Sequence, residues 1–175
     1  MTKEEYKRLV KVAKQNGKER LCLLLQTICA TDIRVSELKY ITMEAVRRGE
    51  LTISLKGKIR RIFIVRKLQR KLLSYARKQK ITKGEIFITR QKTSLGRSNI
   101  WREFKKLSLK AKVQASKVFP HNLRNLFARS FYEMEKDIVK LADLLGHSSV
   151  NTTRIYTVGT GEEHLRCLEK LKLII

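Results

Sequence analysis

Proline, cysteine, acidic residues and long apolar runs are all scarce in this 175-residue sequence, and each scarcity removes a class of protein. Pro120 is the only proline, which rules out a proline-rich linker, and no internal repeat or low-complexity segment divides the chain. The three cysteines, Cys22, Cys29 and Cys167, are odd in number and lack CxxC or Cys/His spacing. That argues against a disulfide framework and against a zinc site, and it suits a reducing cytoplasm. The longest apolar stretch, Leu21 to Ala30, contains Gln26 and is too short to span a bilayer. Met1 leads directly into a charged helix, so no signal peptide is expected and the protein is expected to be cytoplasmic, with no membrane partner.

What is abundant is positive charge. Forty Lys and Arg stand against 16 Asp and Glu, a formal net charge of +24. The asymmetry is concentrated: from Leu51 to Tyr132 there are 23 basic residues and only two acids, Glu85 and Glu103. A one-signed run of this length repels itself unless a polyanion neutralises it, which points to a nucleic-acid backbone. With 42% hydrophobic residues the chain still has enough apolar material for the core of one domain.

Hydrophobic periodicity predicts a mainly α fold with a small three-stranded antiparallel β-sheet. Thr2 and Glu5 form a capping box that starts the first helix, and a buried helix follows over the apolar stretch. Arg34 and Glu37 lie one helical step apart beyond it, and an ordinary salt bridge is one reading of that pair. Leu51, Ile53 and Leu55 alternate, as do Ile62 and Ile64, with Lys56-Gly57-Lys58-Ile59-Arg60 turning between them: a β-hairpin. Residues 85–89 are expected to add the third strand. Lys58, Arg60 and Arg61 near the hairpin tip, with Arg97 and Arg102 at the start of a later helix, are the expected DNA contacts. In that later helix Trp101, Phe104 and Leu107 share a stripe expected to face the core.

Residues 119–156 hold the densest chemistry. Leu123, Leu126, Phe127, Ser130, Phe131 and Met134 recur at helical spacing, leaving His121, Arg124 and Ala128 on a neighbouring face. His121 and Arg124 at a helix start just after Pro120 make a cationic donor cluster suited to a phosphate. Gly146 ends the next helix, His147 follows as a further donor, and Tyr156 comes nine residues later as a candidate nucleophile. Singly, each has an ordinary structural role open to it: a helix-start hydrogen bonder, a capping residue, a half-buried core tyrosine.

The order and spacing say more. Ala30-Thr31-Asp32-Ile33-Arg34-Val35-Ser36-Glu37-Leu38, Lys56 at a hairpin turn, His121-x-x-Arg124, Leu145-Gly146-His147 and then Tyr156 resemble the tyrosine recombinase (phage integrase) family over nearly the whole chain. The resemblance implies that family's catalytic-domain fold and a reaction without metal or cofactor. It implies that Arg34 and Arg124 clamp the scissile phosphate with His147, that Glu37 supports Arg34, and that Tyr156 is the nucleophile. It further implies that His121 takes the tyrosine proton and Lys56 protonates the leaving oxygen. Double-stranded DNA is the implied partner, and a tetramer on DNA the implied assembly. Asp32 stands at a position commonly glycine in the family and Asn125 at one commonly histidine.

The expected organisation is one catalytic domain over residues 1–175 without the family's N-terminal core-binding domain, with residues 161–175 as a tail helix able to dock on a neighbouring protomer. A type IB topoisomerase and a non-catalytic basic DNA-binding module are the alternatives.

Overall fold

In the computed structural model, which describes residues 1–55, 58–89, 91–147 and 149–156, the apolar stretch noted above becomes the helix on which the others pack. Helix α1 (Lys3–Gln15) begins at the expected capping box: the Glu5 amide donates to Thr2 Oγ1 at 3.1 Å and the Thr2 amide to Glu5 Oε2 at 2.7 Å. Helix α2 (Glu19–Thr31) buries Leu21 to Leu25 in an unbroken row together with Thr27 and Ile28. Such a helix must be covered on nearly all sides. It is covered by α1, by α4 (Arg66–Lys78) and by α6 (Pro120–Glu135).

Between α2 and α4 the chain makes a 3-10 helix (Val35–Tyr40), the short helix α3 (Met43–Arg48), capped by Thr42, and a hairpin of β1 (Glu50–Leu55) and β2 (Lys58–Phe63). The register pairs Leu51 with Ile62 and Ile53 with Arg60. Leu51, Ile53 and Ile62 face the core while Ile59, Arg61 and Phe63 face outward. The period of two therefore puts Arg60 on the buried face.

Among the described residues the sheet has two strands rather than three. Residues 85–89 instead bridge the loop before α3, with the Ile86 amide donating to Ile41 O at 3.0 Å, and Thr42 opposes Glu85 in an isolated bridge. Ile86 and Phe87 are both buried, so this segment does not alternate as a strand with one wet face must.

Helix α5 (Arg97–Lys110) buries Phe104 and Leu107 but leaves Trp101 55% exposed, which corrects the expected three-residue stripe. In α6 the buried residues are Leu123, Leu126 and Ala128, whereas Met134, expected inward, is 73% exposed. The inward face of α6 turns toward Ala128 because that methyl receives Leu141 and Leu145 of helix α7 (Ile138–Leu145). Helix α8 (Val150–Arg154) follows and leads to Tyr156. Among the described residues, Ala128, Leu141 and Leu145, with Tyr156 against them, form a small apolar cluster distinct from the main core around α2. The expected tail helix over 161–175 lies outside the described residues.

Candidate active site

Helix α2 ends on Asp32 in the left-handed conformation, φ 55°, which Asp and Asn tolerate better than most residues. A carboxylate at a helix C-terminus opposes the helix dipole, and this one is also 1% exposed, so it needs cationic partners. Two guanidiniums supply them. Arg124 donates from Nε to Asp32 Oδ1 at 2.8 Å and from Nη2 to Oδ2 at 2.7 Å, a bidentate fork. Arg60 donates from Nη1 to Oδ2 at 3.2 Å.

Arg34 is held in parallel. Glu37, 4% exposed, accepts from Arg34 Nη1 at 2.8 Å and from the Arg34 amide at 2.9 Å, and its other partner is again Arg60, whose Nη2 lies 2.9 Å from Oε2. Burial raises the Glu37 carboxyl, but the Arg34 bonds and the Arg60 charge outweigh it and hold the carboxyl below its usual range. Burial presses the Arg124 guanidinium down, and the Asp32 hydrogen bonds and charge more than reverse it. Each of these two arginines thus has one edge tied to a buried acid. Arg34 Nε and Nη2 and Arg124 Nη1 carry no hydrogen bond to the described residues and are free to meet an anion.

Arg34 and Arg124, from opposite halves of the chain, line one cleft of about 540 Å³ together with His121, Phe119, Arg97 and Trp101. His121 is exposed and its ring stacks beside Phe119, with centroids 6.5 Å apart. The exposed Trp101 ring carries Lys105 Nζ 5.3 Å from its centroid. Trp101 therefore belongs to the wall of a cationic cleft rather than to the core.

His147 follows Gly146 at the end of α7. Its Nδ1 lies 2.8 Å from the fully buried Thr153 Oγ1, which fixes the ring, and the ring stacks on Tyr156 with centroids 6.5 Å apart and planes 18° apart. Burial lowers the His147 pKa from its ordinary value, the Asp32 charge opposes this, and Arg124, Arg34 and Arg60 reinforce it. The imidazole is consequently neutral at neutral pH. Burial also raises the Tyr156 phenol, as does the Asp32 charge, while Arg124 and Arg34 pull it down. The phenol is protonated at rest, and the charges of Asp32, Arg124 and Arg34 all act on it.

Not every expected residue joins this cleft. Lys56 lies outside the described residues, as does the side chain of Lys58. Arg61 is exposed and pairs with Glu50 Oε2 at 2.6 Å. Arg102 lines a different depression, beside Arg20 and Glu103. Arg60 requires a correction: expected as a DNA contact, it is 7% exposed and points inward, because its place in β2 is in phase with Ile62. Three residues escaped the reading of the sequence: Asp32 as the partner of Arg124, Arg60 as the partner of both acids, and Thr153 as the support of His147.

The model of the phage integrase family matches residues 1–162. The chain is 34% identical over 182 residues to the tyrosine recombinase XerA of Pyrococcus furiosus, covering 99% of this chain and 62% of that protein. To the tyrosine recombinase XerH of Campylobacter jejuni it is 33% identical over 167 residues, covering 90% of this chain and 47% of that protein. A crystal structure of XerA recombinase matches with a TM-score of 0.80 at 25% identity, over 100% of this chain and 64% of the other. The fold is also that of XerH bound to a palindromic difH substrate in a post-cleavage complex, with a TM-score of 0.80 at 20% identity over 96% of this chain and 51% of that one. The chain therefore spans less than two thirds of the length of these relatives.

Proposed function

The chain belongs to the phage integrase family, and from that membership we propose that it is the strand-transfer domain of a site-specific recombinase, which cleaves and rejoins duplex DNA through a covalent 3′-phosphotyrosine. The observation that carries this reading is the convergence of Arg34 and Arg124, each tied by a buried acid, on a cleft with His121, beside a Tyr156 stacked on His147.

The chemistry follows from those groups. A phosphodiester repels nucleophiles because of its charge, and the free edges of Arg34 and Arg124, with the neutral His147 as a donor, neutralise the charge that builds on the nonbridging oxygens. The Tyr156 oxygen attacks phosphorus as its proton passes to His121, the P–O5′ bond breaks, and Lys56 protonates the departing 5′ oxygen. The phosphotyrosine keeps the energy of the broken bond, so a 5′ hydroxyl from the same or another strand reverses the step. No metal is required for this, since the arginines and His147 supply the positive charge and the donors. Duplex DNA is held through the basic span from Leu51 to Tyr132, and we place the working form as a tetramer on DNA inside the cytoplasm. Among the described residues no helix is long and apolar enough to cross a membrane. Membership of the integrase family favours the recombinase over a topoisomerase or a non-catalytic module.

A pool of nicked duplexes of randomised sequence traps the covalent intermediate, because the short strand beyond the cleavage point diffuses away. The wild type is expected to yield an SDS-resistant adduct, in the presence of EDTA as in its absence. Tyr156→Phe is expected to yield none while binding DNA within about twofold of wild type, since affinity is spread over many phosphate contacts. An adduct in the mutant ends the assignment. For Lys56, substitution by Ala is expected to abolish cleavage of an ordinary duplex and to spare cleavage of one with a 5′ sulfur leaving group, which needs no proton.

A further inference from the structure

Arg60 is not among the residues that line the cleft, yet it is bonded to both acids that hold Arg34 and Arg124. Its Nη2 holds Glu37, the partner of Arg34; its Nη1 holds Asp32, the partner of Arg124; and the same Nη1 donates to Leu145 O at 2.9 Å, two residues before His147. Nη2 also approaches Asp32 O at 3.4 Å, so one guanidinium sits at the C-terminal ends of both α2 and α7, where a cation is favoured. It issues from β2. The place is made for it: a Cβ on Gly146 would lie 2.5 Å from Arg60 Cδ. The position is costly, because Arg60 Nε is buried without a partner among the described residues.

The charges explain the cost. Asp32 and Glu37 alone would cancel Arg34 and Arg124 and leave a neutral site. With Arg60 the five groups carry a net single positive charge, while each acid still grips its clamp arginine. Asp32 takes the Nε and Nη2 edge of Arg124, so the Nη1 end remains available to a phosphate.

We propose that Asp32 and Arg60 form a charge-compensated positioning pair for the phosphate clamp, in which Asp32 sets the orientation of Arg124 and Arg60 supplies the countercharge that keeps the clamp attractive to an anion. This rests on the strand-transfer reading for its purpose but not for its geometry.

Replacing both members conserves the net charge, whereas replacing one does not, and that is the test. Asp32→Asn, Arg60→Gln and the double variant are compared with wild type at a temperature where circular dichroism shows each folded. Inorganic phosphate is titrated against the Arg124 Nε–H resonance, and adduct formation is timed on the nicked pool at saturating DNA. Arg60→Gln is expected to weaken phosphate binding by about tenfold, and each single substitution to slow the adduct by about tenfold, as contacting charges couple by such amounts. The double variant is expected to return to within about threefold of wild type in both. DNA affinity stays level, so the loss lies in rate and not in binding.

Additive losses in the double variant, or single variants that match wild type once folded, overturn the proposal and leave Arg60 a structural strut. If Arg60→Gln does not fold, Asp32→Asn against the double variant decides: a faster adduct in the double variant at equal thermal stability supports the pair, and a rate that only follows stability overturns it. A wild type that binds phosphate but makes no adduct refutes strand transfer instead, and the phosphate titration still judges the pair.

Discussion

His147 owes its orientation to a single hydroxyl and its charge state to burial. Thr153 Oγ1 fixes Nδ1, so in the proposed reaction the other ring nitrogen is the one left for the phosphate. Because burial lowers the folded-state pKa below the ordinary value of about 6.5, the unfolded chain binds more protons as pH falls through that value. Stability contributed by the neutral ring is complete above pH of about 6.5 and is lost as pH falls toward the folded pKa. Urea titrations between pH 7.5 and 5 are expected to show this loss in the wild type and a flatter profile in His147→Gln. The roles of Arg34, Arg124 and Tyr156 as candidates were legible from residue type and spacing. Asp32 was not, since an acid at a helix end looks like a surface cap until the fold buries it between two arginines that the sequence places 64 residues apart.

At the scale of elements, the turn at Gly146 does two things: it ends α7 with φ 67°, and it leaves room for the Arg60 stem. Gly146→Ala meets both constraints at once. A left-handed Ala costs roughly 1–2 kcal/mol before any clash is counted. Displacement of Arg60 adds to it, so chemical denaturation is expected to show a loss above that range, together with slower adduct formation. Most helices and the hairpin were readable because amphipathic period and caps agree, as at Thr2 and Glu5. Arg60 was readable too, by the same alternation that identified Ile62 and Ile64, but its charge argued for the surface and the period was right. Residues 85–89 misled because β-rich composition describes a buried extended segment as well as a paired strand. Trp101 misled because a helical stripe records which residues share a face, not whether anything covers it. Lys56 and the tail at 161–175 fall outside the described residues.

For the whole molecule, the 23 cations and two acids between Leu51 and Tyr132 matter more than any one of them. Binding driven by counterion release weakens steeply with salt, by about a thousandfold or more between 50 and 200 mM when six or more phosphates are neutralised. Fluorescence anisotropy on duplex DNA over that range is expected to show a slope of this order, nearly independent of base sequence. A shallow slope would assign affinity to base contacts instead. The interior is less uniform than the surface. Arg34 stands with the main core around α2, whereas His147 and Tyr156 ride on a segment anchored by Ala128, Leu141, Leu145 and the Arg60 bond to Leu145 O. Regions with few buried apolar contacts open locally at a free energy below that of global unfolding. Under the proposed strand-transfer reaction, one such opening would withdraw Tyr156 and His147 in a single event and leave Arg34 in place, so that holding DNA and cutting it would be separable states of one chain.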